Sequence, residues 1–195
     1  MDKIIRFIQK NGDYARLSEL REQGFQTRNI TRLHEEGVLE KLQPGLYKLK
    51  ESNITSGLVD ISKAMPRAVI ALVSALVYHE LSAFNPSKIH VAIPNDAKPP
   101  ILHFPPVEVY YFRKNQYQAG IEEKKIYGHT VKIYNKEKAV CDMFRFRYQI
   151  GEDLAFEGLK NYLKHPEANL NKLKKYMNIC RVTTIMKPFL KMLLA

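Results

Sequence analysis

The sequence predicts an α+β fold in two parts: an N-terminal helical unit closed by a β-hairpin, then a larger α/β-mixed domain with a small sheet and a C-terminal helical segment. Three observations predict it. Apolar residues recur at helical spacing through the first 35 residues, interrupted by Gly24. Residues 38–49 then run strand, turn, strand around Gln43-Pro44-Gly45. Beyond residue 85, alternating runs such as Ile89-His90-Val91-Ala92-Ile93 give way, after Asn135, to long stretches of helical periodicity.

Taken in order, Ile4, Ile5, Phe7 and Ile8 make an amphipathic first helix that Asn11-Gly12-Asp13 stops. Leu17 and Leu20 face inward on a second helix, and Phe25, Ile30 and Leu33 on a third, with Ser18 and Thr27 as expected N-caps. Gly24 and Gly37 stand where helix C-termini need a residue tolerant of positive φ. In the hairpin, proline followed by glycine suits a type II turn. Helix, turn, helix and hairpin within this length outline a winged helix-turn-helix. On its third helix Arg28, Thr31, Arg32 and Glu35 fall on the face opposite the apolar stripe. Arginine is the side chain that reads guanine edges bidentately, so Arg28 and Arg32 are the expected base readers on double-stranded DNA. Thr27, Asn29 and Thr31 are expected partners for phosphates or bases, and Lys41 and Lys48 are expected contacts from the wing.

Glu51 to Thr55 lacks periodicity and reads as a linker, which divides the chain into residues 1–52 and 53–195. In the second part a short helix over residues 57–64 precedes residues 67–81, apolar almost all round, which predict one buried helix. Strands follow at residues 89–93 and 107–112, separated by an extended loop rich in proline. A hairpin joins residues 121–127 to 130–134, and helices are expected at 136–148, 153–163, 170–177 and 184–194, the last containing Pro188.

The net charge of +11 is unevenly placed. Residues 1–52 hold ten Lys/Arg against eight Asp/Glu (+2), and residues 53–195 hold 21 against 12 (+9). A basic surface favours phosphate, although sixteen of the second part's cations are lysines that serve equally for solubility. Cys141 and Cys180 match no disulfide framework and no zinc spacing. The N-terminus has no signal-peptide pattern, and the longest apolar run is shorter than the ~20 residues a membrane span needs, so a cytoplasmic protein is expected.

No glycine-rich phosphate loop or Gly-x-Ser-x-Gly elbow is present, no metal or cofactor is expected, and the chain is not expected to be an enzyme. The competing reading is a metal-dependent nuclease using Asp96 with Glu123, Lys124 and Lys125. His79, Glu80, His90, His103 and His129 lack metal spacing, and Asp142 with Arg145 or Arg147 reads as an ion pair supporting a helix.

In both halves the chain resembles the AbiEi family, the antitoxin and transcriptional regulator of type IV toxin-antitoxin systems. The resemblance rests on the winged-helix text ending in Pro44-Gly45-Leu46-Tyr47, on Val73-Ser74-Ala75-Leu76-Val77-Tyr78-His79-Glu80-Leu81, on Ile89-His90-Val91-Ala92-Ile93-Pro94, and on the run from Lys138 to Arg147. It implies an N-terminal domain that binds inverted repeats in the promoter of its own operon, as an autorepressor, and a second domain that carries antitoxin activity. It also implies a nucleotidyltransferase-like toxin as functional partner, countered without a stable complex. Lys138-Ala139 stands where the family has Arg-Thr. A stand-alone winged-helix regulator remains the alternative.

Overall fold

The computed structural model describes residues 2–194. The N-terminal part comprises α1 (Asp2–Lys10), β1 (Tyr14–Arg16), α2 (Leu17–Glu22), α3 (Thr27–Glu35), β2 (Leu39–Gln43) and β3 (Leu46–Leu49). The three strands form an antiparallel sheet in the order β1-β3-β2. β1 is not foreseen from the sequence, because three residues carry too little alternation to read; they are held extended by pairing with β3, as Tyr14 opposite Lys48 and Arg16 opposite Leu46. Gly45, at φ +78°, supplies the left-handed turn position that Pro44-Gly45 predicts. Neither predicted cap holds: α2 is capped at Arg16, whose N–H donates to Glu19 Oε2 (2.7 Å), and α3 at Gln26, leaving Thr27 as the first helical residue.

The small sheet separates two cores. On one face Ala15, Leu39, Tyr47 and Leu49 join Ile4, Ile8, Leu20, Ile30 and Leu33 from the helices. On the other face Tyr14, Leu42 and Leu46 belong to the core of the second part. Alternation along each strand therefore serves both sides: Tyr47 and Leu49 point one way, Leu46 and Lys48 the other, and all four residues of β3 are buried.

The second part comprises α4 (Gly57–Ala64), β4 (Val69–Ile70), α5 (Leu72–Tyr78), β5 (Ile89–Pro94), β6 (Val107–Phe112), α6 (Lys114–Gln118), β7 (Ile121–Ile126), β8 (His129–Tyr134), α7 (Lys136–Arg145), α8 (Arg147–Ile150), α9 (Glu152–Lys164), α10 (Leu170–Cys180) and α11 (Thr183–Leu194). Its five-stranded sheet runs β6-β5-β4-β8-β7, parallel at β5–β6 and β4–β8 and antiparallel elsewhere. The single helix expected over residues 67–81 is instead β4 followed by α5. An unbroken apolar run suits a central strand covered on both faces as well as it suits a buried helix, and Val69 and Ile70 take the strand, at the middle of the sheet.

α7 packs on α5, α9 and α10 and is buried from Glu137 to Phe144. Within it Lys138 and Asp142, one helical turn apart, form an ion pair with no exposure to solvent. The Lys138 ammonium also lies 4.2 Å from the Tyr134 ring centroid and 4.7 Å from that of Phe112, and Cys180 Sγ approaches Asp142 Oδ1 at 3.4 Å. Burial pushes the Asp142 carboxyl above its ordinary range, against the pull of Lys138. The helix that contains Lys138-Ala139 thus carries a structural pin, and its charged pair faces the interior. No described helix is long and apolar enough to cross a membrane.

Candidate nucleic-acid interface

The third helix is fixed from within. Ile30 and Leu33, three residues apart, are fully buried against the N-terminal core, which turns the rest of the helix outward. At its C-terminal end His34 Nδ1 donates to the Leu39 carbonyl (2.9 Å) and its ring meets Tyr47 edge to face. At its start Arg21 Nε, on α2, donates to Thr27 Oγ1 (3.0 Å). Helix and sheet are locked at both ends.

The outward face holds Thr27, Arg28, Thr31 and Arg32, all exposed, with Asn29 half-buried beside them. Arg32, 63% exposed, pairs through Nε with Glu36 (2.7 Å) one turn on. That contact is a surface ion pair of small net worth, which a phosphate or a guanine edge can displace. Arg21, exposed next to the start of α3, is a cation the sequence reading passes over. Its signal is there in retrospect, since in helix-turn-helix proteins the helix before the recognition helix crosses the phosphate backbone.

The wing is where the expectation fails. Lys48 is only 7% exposed; its ammonium donates to Asp60 Oδ1 (2.9 Å) on α4 and to the Ile54 carbonyl (2.8 Å). It lies on the face of β3 that the second part covers, so it is not a DNA contact. Lys41, on β2, remains half-exposed. The hairpin is tied down along its length: the Leu17 N–H donates to the Gly45 carbonyl (2.8 Å), Gln43 Nε2 to the Ala64 carbonyl (3.2 Å), and the His103 N–H to the Leu42 carbonyl (2.9 Å).

Asp60 also accepts the Tyr14 hydroxyl at 2.6 Å. Burial, then the bond to Asp60, pushes the Tyr14 hydroxyl far up, so it stays a donor. Tyr14, Lys48 and Asp60 therefore form a buried polar knot between the two parts of the chain, joined by Arg16 Nη2 donating to the Lys63 carbonyl (3.1 Å). Of these residues, Asp60 and Lys63 follow Ser52 and the rest precede it.

The alternative metal site does not assemble. Asp96, beyond the end of β5, pairs with Arg67 (3.2 Å), whereas Glu123 lies on β7, three strands away or roughly 14 Å at ~4.8 Å per strand. No group of three or more His, Cys, Asp and Glu side chains converges among the described residues. His79 Nε2 donates to the Tyr134 carbonyl (2.8 Å), and burial lowers the His79 and His90 pKa values.

No curated protein matches the chain. A family model does, over residues 2–50, the segment that contains α1, α2, α3 and the hairpin. Its description is transcriptional regulator, AbiEi antitoxin, and over those residues the N-terminal unit of this chain is similar to that family.

Proposed function

We propose that the chain is a DNA-binding autorepressor of winged helix-turn-helix type, with α3 in the major groove of inverted repeats in its own promoter. One observation carries this reading: a short helix, locked on its inner side by Ile30 and Leu33, presents Arg28 and Arg32 with Thr27 and Thr31 on one free face. Arg28 and Arg32 read bases, Asn29 and Thr31 assist them, and Arg21 and Lys41 contact phosphates. The match to antitoxin regulators over residues 2–50 supports the same reading. We further propose a cytoplasmic antitoxin role against a separate nucleotidyltransferase-like toxin, borne by the second part of the chain. On this reading the protein acts by binding and not by catalysis.

Fluorescence anisotropy on the promoter repeat and on a scrambled duplex tests the DNA reading. Arg28→Ala should cost ~1–3 kcal/mol on the repeat and much less on the scrambled duplex. Lys41→Ala should weaken both and flatten the slope of log K against log salt by ~0.9. Equal losses for Arg28→Ala on both duplexes would reduce that arginine to a phosphate contact. Co-expression with the product of the neighbouring gene tests the antitoxin role; growth arrest unrelieved by this chain would refute it.

A further inference from the structure

A cleft of about 330 Å³ opens where α5 ends, α7 and α10 begin, and β7 passes by. Three ammoniums converge on it from three elements: Lys124 from β7, Lys136 from α7 and Lys172 from α10. Each has a carboxylate neighbour, Glu122 at 2.8 Å, Glu167, and Glu137 at 3.0 Å respectively.

The three carboxylates are not alike. Glu137 is 3% exposed and takes the Tyr162 hydroxyl on Oε1 (3.1 Å). Its buried Oε2 has the Lys172 ammonium at 3.0 Å as its one neighbour and that contact is poorly directed, so this acceptor on the cleft wall is only partly satisfied. Glu167 is the opposite case: its side chain is 75% exposed, on the turn between α9 and α10, and rests on Lys136. Lys136 first, and Lys124 from further off, hold its carboxyl below the ordinary carboxylate value. Its own end of the pair is in solvent, whereas the Lys136 side chain is only 20% exposed, so Glu167 is the partner free to swing away.

Two helices of 10 and 11 residues begin at the cleft, capped by Asn135 and Asn169, whose Oδ1 atoms each take one amide at 2.9 Å. Their remaining first-turn N–H groups add partial positive charge to that of the lysines. The Glu167 carboxylate thus stands at the point where an incoming anion would be best held, with an acceptor that needs a donor on the wall beyond.

We propose that this cleft binds a phosphomonoester that carries hydroxyl groups, of the size of a nucleoside monophosphate. The phosphate displaces Glu167 from Lys136 and is held by Lys136 and Lys124, and a ligand hydroxyl donates to Glu137 Oε2. The volume lies at the lower end of the range for small-molecule sites, roughly 300–1,000 Å³.

Isothermal titration calorimetry on the full chain tests this, with inorganic phosphate, ribose 5-phosphate, the four nucleoside 5′-monophosphates, and ribose and adenosine as ligands lacking phosphate. Saturable binding is expected for the phosphates and none for ribose or adenosine; the tightest ligand separates a nucleotide from a sugar phosphate. Lys136→Met should weaken binding about tenfold, the effect of one charge-assisted hydrogen bond, and Glu167→Gln should tighten it severalfold. If Lys136→Met fails to fold, Lys124→Met, on the more exposed strand, carries the same expectation. Glu137→Gln should abolish the preference for ribose 5-phosphate over inorganic phosphate. No saturable binding by the unmodified chain overturns the site. So does unchanged affinity in both Lys136→Met and Glu167→Gln, which would place the anion on lysines elsewhere. Equal affinity of the unmodified chain for inorganic phosphate and ribose 5-phosphate overturns the role of Glu137. These residues lie apart from α3, so loss of phosphate binding and loss of DNA binding are read separately.

Discussion

Replacing Asp60 by alanine removes a carboxylate that faces two buried donors. Asp60 is 3% exposed, with Lys48 Nζ at 2.9 Å and the Tyr14 hydroxyl at 2.6 Å on the same oxygen. In Asp60→Ala the Lys48 ammonium keeps a single partner, the Ile54 carbonyl, inside the protein. Breaking a buried pair from one side costs ~3–5 kcal/mol, because the remaining charge is desolvated without compensation. At ~2–4 °C per kcal/mol for a chain of this length, the melting temperature should fall by roughly 6–20 °C. Removing both charges should cost far less, since an apolar pair of similar volume is often neutral or stabilising, so Asp60→Leu with Lys48→Met should recover most of the loss. Differential scanning calorimetry on the unmodified chain, Asp60→Leu, Lys48→Met and their combination closes a double-mutant cycle and gives the coupling directly. If Asp60→Ala cost under ~1 kcal/mol, or if the double variant were as unstable as the single one, the knot would not be what joins the parts.

The remaining predictions concern close packing and pH. Gly120 has φ +81°, and a Cβ there would lie 2.8 Å from Lys138 Cβ, a rigid part of a buried side chain. Gly120→Ala therefore combines left-handed strain with overpacking and should destabilise by ~2–4 kcal/mol in urea denaturation; a loss below ~1 kcal/mol would show that β7 shifts to make room. His79 and His90 have pKa values lowered by burial from an ordinary 6.5, so the unfolded chain takes up their protons first. The stability they confer is full above pH 6.5 and is lost as the pH falls through the lowered folded values. Melting temperatures between pH 7.5 and 5 should decline on the acid side, less so for His79→Gln, and an equal decline in that variant would exclude His79 as a source.

Much of the architecture is legible in the sequence because it is local. The inward positions of α3 and the Pro44-Gly45 turn follow from spacing and turn chemistry, and β5, β6 and the β7–β8 hairpin from alternation between turn residues. What escapes the sequence is decided by distant partners. β1 exists because β3 pairs with it, and Val69-Ile70 is a strand because β5 and β8 flank it. Lys48 is the instructive residue at the candidate site. Strand alternation correctly turns it away from the core of the N-terminal part, and away from one core reads as toward solvent unless a second core is known to lie there. The exposure of Arg28 and Arg32 is legible because no described residue covers that face of α3, and the burial of Lys48 is not because α4 covers it. The cleft at Lys136 draws its charges from positions 122 to 172, and no short motif reports it.

A sheet with a hydrophobic core on each face is not a portable part. The family match ends at residue 50, which invites a cut at the compositional boundary and the grafting of α1 to β3 onto another protein to redirect its DNA choice. Such a graft would carry Tyr14, Leu42, Leu46 and Lys48 as an uncovered face, with a cation that has lost its counter-charge. The natural unit of exchange extends through α4, where Asp60 and the Ala64 carbonyl close the seam. On the proposed DNA reading, changes of specificity are accordingly better made by rewriting the outer face of α3 in place, where four neighbouring side chains can change without disturbing either interior.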